Sequence, residues 1–242
     1  RNGVRYPFPH PSDGGYAGAM GRPPRVDVGD NVYPVLNRAN VRSKLFSRAT
    51  HYQKFLNILE EVTRVAPMRV LAYCLMPNHW HLVLYPPHDG DVARFMQRVT
   101  VTHTQRYHAK TKTVGYGHVY QGRYKSLPVQ QDRYFLAIVR YVEGNAKRAR
   151  LVKRAEDWPW SSLHARLRGS DQQKMLLSPW PVEEPPQYGT SVNQPEPKAA
   201  LADIRYVIKR SRPYGSAQWV GNTVKRFGLA SVLRDPWRPK KT

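Results

Sequence analysis

Met68-Arg-Val-Leu-Ala-Tyr-Cys-Leu-Met76 and His79-Trp-His-Leu-Val-Leu-Tyr85 are two short apolar runs separated by the dipeptide Pro77-Asn78. Each run has the length and residue types of a strand, and a proline-asparagine pair between them is turn chemistry, so the stretch predicts a β-hairpin. Side chains on a strand alternate between its two faces, which puts His79 and His81 together on one face and the bulky Trp80 on the other. Two readings of that pair stand. The imidazoles form a bidentate clamp for a divalent cation, or they are two surface histidines flanking a core tryptophan.

Working outward from the hairpin, Asn31-Val-Tyr-Pro-Val-Leu36 reads as a strand, with Pro34 pushing it toward a sheet edge or a bulge. Thr50 is placed to cap a helix whose apolar rhythm is Phe55, Leu59, Val62 and Ala66, closed by Pro67. Downstream, Val92 to about Ala109 has a helical rhythm, and His118 to Val129 reads as a strand interrupted at Gly122. Asp132 then caps a helix from Tyr134 to about Asn145 that buries Phe135, Ile138, Val139 and Val142. The order β-α-β-β-α-β-α predicts an α+β fold, ferredoxin-like, with an antiparallel sheet carrying its helices on one face. This domain is expected to span residues 24–170.

Residues 1–23 are set apart as a flexible extension. Arg1 to Ala19, rich in Gly and Pro, read as an upstream extension or an expression leftover, with Met20 as the expected start. Residues 171–197 contain six prolines and little periodicity, which predicts a linker. Residues 198–242 follow as a basic helical accessory unit with a C-terminal tail, expected to bind DNA. One helix runs from Ala199 to Arg210 and a second starts after Ser216, with Gly228 where a left-handed C-cap belongs and Leu229 as its apolar contact. The pair reads as a helix-turn-helix on duplex DNA or as a helical hairpin packed on the first domain.

The 242 residues carry 39 Lys+Arg against 17 Asp+Glu, a formal charge of +22. A folded particle with that excess repels itself, and a polyanionic partner is the usual reason to keep it. At 40% hydrophobic residues the chain can build a core, which argues against wholesale disorder. Cys74 is the sole cysteine, so no intrachain disulfide and no cysteine-based zinc site is expected, as suits a reducing cytoplasm. No apolar run reaches the ~20 residues of a membrane span. Nor does the chain open with a basic segment followed by an apolar one, as a secretory signal would.

A second constellation lies on the helix that ends near residue 145. Tyr141 and Asn145 are four apart and so share a helix face. An amide oxygen at Asn145 can complete a His-His-Asn donor set, with the Tyr141 hydroxyl one turn away. The alternative is that Tyr141 is a half-buried aromatic on an amphipathic helix.

Ala72-Tyr-Cys-Leu-Met-Pro-Asn-His-Trp-His-Leu-Val-Leu84 resembles the HUH strand of single-tyrosine transposases, in which two histidines flank one hydrophobic residue. Three further blocks are similar to that family in the expected order. They are Gly117-His-Val-Tyr-Gln-Gly-Arg-Tyr-Lys-Ser126, Arg140-Tyr-Val-Glu-Gly-Asn145 with Arg148-Ala-Arg-Leu-Val152, and Asp157-Trp-Pro-Trp-Ser-Ser162. The group most resembled is the REP-associated tyrosine transposases, and the similarity spans about residues 30–165. It implies that His79, His81 and Asn145 bind Mg²⁺ or Mn²⁺ and that Tyr141 is the nucleophile, forming a 5′-phosphotyrosine link and freeing a 3′-hydroxyl. It also implies a single-stranded or hairpin DNA partner, no nucleotide cofactor, a monomer or homodimer, and a cytoplasmic, nucleoid-associated protein. One departure is visible: the usual Asn-Pro after the nucleophile helix is Asn145-Ala146 here, which softens the helix end but removes no reacting group.

For holding DNA, the basic run Lys147, Arg148, Arg150, Lys153 and Arg154 is expected to neutralise phosphates near the scissile bond. Gln121, Arg123, Tyr124 and Lys125 form a second candidate surface, with Tyr124 either stacking on an unpaired base or buried in the core. Arg238, Lys240 and Lys241 form a candidate arm. His103, His108 and His118 are left out of the site, since isolated histidines are mostly structural. A hairpin-DNA binder without catalysis, a water-using nuclease and a toxin-like RNase are the competing functions.

Overall fold

The computed structural model describes residues 25–115 and 117–233, so the expected extension before residue 24 and the arm at Arg238, Lys240 and Lys241 lie outside the described residues. The chain runs through β1 (Tyr33–Arg38), α1 (Ala49–Val65), β2 (Arg69–Met76), β3 (His79–Tyr85), α2 (Asp91–Thr111), β4 (Lys125–Ser126) and α3 (Arg133–Glu143). Among the described residues these strands make one four-stranded sheet in the order β2-β3-β1-β4, antiparallel throughout. This is the α+β arrangement expected from the element order. Short α4 (Asn145–Arg148), α5 (Ser162–Arg168), α6 (Asp171–Met175) and α7 (Tyr188–Asn193) follow, then α8 (Lys198–Arg210), α9 (Ala217–Arg226) and α10 (Ala230–Leu233).

The alternation along β3 sets up two cores. Trp80, Leu82 and Leu84 face α1 and α2 and pack with Phe55, Leu59, Phe95 and Val99. Val83, on the histidine face, packs with Phe135, Val139 and Val142 of α3. The two helices of the ferredoxin-like unit therefore share one face, as expected, and the helices after β4 cover the other. Burial of each large side chain contributes about 2 kcal/mol, so both layers are needed to hold the sheet.

Three local expectations are corrected. β1 is internal despite Pro34. Val32 C=O accepts from Val129 N–H, so by strand alternation the Pro34 nitrogen faces the same side, where β4 is only two residues long and little pairing is lost. The expected strand from His118 is reduced to β4 plus isolated bridges at Tyr120 and Val129. α1 begins at Ala49, and its N-cap, Arg48, makes no side-chain capping bond, so Thr50 lies inside the helix.

The proline-rich stretch read as a linker packs against the sheet and α3. Trp180 Nε1–H donates to Leu71 C=O at 3.0 Å, and Tyr188 and Val192 are buried in the second core. Prolines break helical periodicity, which hides the apolar anchors between them. Beyond it, Tyr214 pairs through its backbone with Pro128 and Gln130, and Ile204 and Ile208 enter the same core, so α8 is docked on α3 and β4. At the end of α9, Gly228 is left-handed (φ 62°) and Leu229 N–H reaches back to Val224 C=O, the cap expected from the sequence.

Candidate active site and nucleic-acid cleft

His79 and His81 sit side by side on β3 with ring centroids 5.1 Å apart. Trp80 between them is fully buried on the opposite face, where its indole N–H donates to Tyr120 OH at 3.2 Å. That hydroxyl lies 2.7 Å from His103 Nδ1, so His103 is a structural partner and not a third ligand. Asn78 Oδ1 lies 2.7 Å from His79 Nδ1. An acceptor there requires the proton on Nδ1 and leaves Nε2 as the free lone pair. The turn residue Asn78 thus orients a candidate ligand, a role that its reading as turn chemistry did not disclose.

Burial pushes the His79 imidazole down to about 4, with the cross-strand Arg38 adding to it. His81, 5% exposed, is held well below the usual histidine range by burial, then by His79, Arg148 and Arg38. Both rings are neutral at pH 7, the state in which an imidazole binds a metal.

Tyr141 projects from α3 toward this pair. Its ring centroid is 6.1 Å from that of His81, and the side chain is 9% exposed. The helix stops at Glu143, and Asn145 begins the separate turn α4. Asn145 nonetheless lines the same cleft as His79, His81 and Tyr141, so the four residues selected from the sequence are brought together. Its Nδ2 is buried without a hydrogen-bond partner among the described residues. Rotation about χ2 exchanges the two ends of the amide, so either can be turned to the cleft. Two neutral imidazoles and an otherwise unclaimed amide fit a hard divalent ion that keeps water positions open. Among the described residues no group of three His, Cys, Asp or Glu gathers for a metal. Ala146, where a proline would be usual, is fully buried beside β2 in the second core.

The structure separates the residues expected to hold DNA. Gln121, Arg123, Tyr124 and Lys125 line the cleft, whose volume is about 960 Å³. Tyr124 is largely buried, with the Arg25 guanidinium 3.9 Å over its ring. The run from Lys147 to Arg154 does not line it. Lys147 donates to Asn193 C=O, while Arg150, Lys153 and Arg154 are exposed elsewhere. Arg148 turns inward. Its guanidinium lies 4.3 Å over the Tyr141 ring, donates to Tyr141 C=O and pairs with Glu196 at 3.4 Å. In the basic run Arg148 is expected to contact phosphate; in the fold its contacts brace the tyrosine. Arg38 in the cleft was missed, though it is the cross-strand neighbour of His79.

Glu143 is fully buried, accepting from Tyr188 OH at 2.8 Å and from Ser162 and Arg166. This network ties the end of α3 to α5 and α7. An unpaired carboxylate there would be costly to bury.

Residues 28–145 match the family described as Transposase IS200 like. Over that stretch the chain is similar to the IS200-like transposases. Across 129 residues the chain is 27% identical to the REP-associated tyrosine transposase of Escherichia coli, covering 53% of this chain and 73% of that protein. A solved REP-associated tyrosine transposase bound to a REP hairpin superposes with a TM-score of 0.52 at 22% identity, over 62% of this chain and 87% of the other, which establishes likeness of fold. The matched stretch thus includes all four of the converging residues, with Asn145 its last matched position. Among the described residues no helix is long and apolar enough to cross a membrane.

Proposed function

We propose that this transposase-family chain nicks and rejoins single-stranded or hairpin DNA with Tyr141 as nucleophile. The observation that carries the reading is the convergence of His79, His81, Tyr141 and Asn145 in one basic cleft of the transposase domain. The Tyr141 phenol oxygen attacks the scissile phosphorus in line, the bond from phosphorus to the 3′-oxygen breaks, and the 5′ side stays linked to the tyrosine. The phenol loses one proton and the 3′-oxygen gains one, so the exchange needs neither water nor a nucleotide cofactor. A freed 3′-hydroxyl can later attack the phosphotyrosine, because the ester bond energy has been conserved.

His79, His81 and Asn145 would hold Mg²⁺ or Mn²⁺, which when bound supplies Lewis-acid polarisation of the phosphate. His79 is kept in its donor tautomer by Asn78, and Arg148 fixes the ring of Tyr141. The relative solved with a REP hairpin supports a hairpin as the substrate class.

Covalent capture tests the reading. The full chain is incubated with labelled hairpin oligonucleotides and Mn²⁺ or Mg²⁺, then denatured, and a DNA-shifted protein band is expected. Tyr141→Phe and a chelator should each abolish it. Cleavage that survives Tyr141→Phe would point instead to water as the nucleophile, and binding with no band to a non-catalytic hairpin binder.

A further inference from the structure

The cleft has a second wall that lies beyond the matched family region. Arg205, Ile208 and Lys209 of α8 line it together with the histidine pair, and the apolar side chains of Leu229 and Val232 also line it. The matched domain ends at residue 145, so these residues belong to the later part of the chain.

Two observations set this wall apart from an ordinary solvated helix. Its position is fixed: Lys125 Nζ donates to Lys209 C=O at 2.7 Å, and the backbone of Tyr214 is paired to Pro128 and Gln130. Its charge is uncompensated as well. Arg38 and Arg123 on the sheet side and Arg205 and Lys209 on α8 form no ion pair with a carboxylate among the described residues. The described lining contains no Asp or Glu at all. Crowding of like charge is felt inside the cleft, where Lys125 is held below the usual lysine range by burial, then by Lys209, Arg38 and Arg210. Cations converging from two walls on a cleft without acids concentrate an anionic strand between them.

We infer that α8 is a phosphate clamp for the single-stranded segment next to the scissile bond. Arg205 and Lys209 contact its phosphates, and the shelf of Ile208, Leu229 and Val232 receives a sugar or base. Residues four apart on a helix have Cβ atoms ~6 Å apart, a spacing that lets two cations serve neighbouring phosphates. The inference rests on the proposed DNA-processing function and adds to it that strand recognition is built into the catalytic cleft, and not into a separate duplex-reading unit.

The test uses equilibrium binding of the full chain across a salt series to a labelled hairpin with single-stranded extensions and to the same hairpin trimmed flush. The Arg205→Ala/Lys209→Ala variant should lose about 1.4 in the log–log salt slope with the extended hairpin, roughly twentyfold in affinity at ~0.1 M salt, at ~0.7 per phosphate contact. With the flush hairpin it should lose almost nothing. Removing the same number of charges from the far face, Arg64→Ala/Arg98→Ala, should leave the slope of the extended hairpin unchanged. Ultraviolet cross-linking of unmodified protein to a 5-iodouracil-substituted extension should map to α8, a readout that needs no variant to fold. An unchanged slope with no cross-link to α8 would reduce the helix to scaffold, and an equal loss on the flush hairpin would make it a duplex contact; either overturns the clamp. Binding does not require cleavage. A chain that forms no covalent band yet loses the slope through Arg205 and Lys209 would therefore refute the nucleophile and leave the clamp standing.

Discussion

The two faces of β3 hold polar groups in opposite ways. On the α1/α2 face, the Trp80 indole, the Tyr120 hydroxyl and His103 form a closed relay in which each group has a partner and all three are buried. On the α3 face one residue away, His79 keeps a free Nε2, His81 has neighbours that add repulsion, and the Asn145 amide nitrogen is buried unpaired. Burying a polar group without a partner costs about 1–3 kcal/mol, so the first face is what stability alone would select. The second tolerates that cost at the positions where a phosphate and a metal ion would meet the tyrosine. A satisfied polar network beside an unsatisfied one on a single strand is the physical mark of a scaffold facing a site.

The comparison is broken most directly by exchanging effects between the faces. Tyr141→Phe should abolish the covalent band altogether while moving the melting temperature little, since the lost hydroxyl has no hydrogen-bond partner among those described. Trp80→Ala should do the reverse in kind, costing about 3–5 kcal/mol in denaturant unfolding through the cavity left in a fully buried site. If Trp80→Ala proves as stable as the parent, the scaffold half of the comparison fails.

Arg148 sharpens the picture at intermediate magnitude. Arg148→Ala should lower the single-turnover cleavage rate roughly 10–100-fold, about the effect of misplacing a reacting group, with little change in DNA affinity. Lysine at this position should rescue poorly, because it cannot stack on the ring and donate in a fork at once. A loss confined to binding would return Arg148 to the role of phosphate contact. Gly144 feeds into the same brace: a Cβ there would come within 2.8 Å of the Arg148 guanidinium, so Gly144→Ala should slow cleavage several-fold without unfolding the chain.

The smallest expected effects are thermodynamic. Mn²⁺ should raise the melting temperature of the parent at pH 7 and not that of His79→Ala, through a stabilisation of up to ~2.7 kcal/mol at a hundred times the dissociation constant. Lowering the pH acts on both faces. His79 and His103 have folded values pushed down to about 4 from an ordinary value of 6.5. The unfolded chain therefore takes up protons first, and stability present above about pH 6.5 is lost as the pH falls toward 4. His79→Ala should flatten part of that loss. A pH profile identical to that of the parent would mean that His79 is not buried neutral.

The hairpin, the strand alternation that pairs His79 with His81, the apolar face of α3 and the cap at Gly228 were all legible in the sequence. Each depends on residues a few positions apart, where backbone geometry sets direction. Tyr141 and Asn145 do line one cleft, although not through the continuous helix expected from their spacing: Gly144 separates them and the chain restarts its turn. What tertiary structure alone decided is which charges face the site. Arg148 and Lys147 read as DNA contacts because they follow the tyrosine in a basic run, yet docking of Glu196 and Asn193 from the proline-rich stretch turns them inward. Arg205 and Lys209, more than sixty residues from Tyr141, reach the cleft because Ile204 anchors their helix in the core that contains α3. Sequence carries the direction of a side chain relative to its own element. The partner that side chain meets depends on how elements pack across the chain, and a cation reads the same in a sequence whether it meets a carboxylate, a tyrosine ring or open cleft.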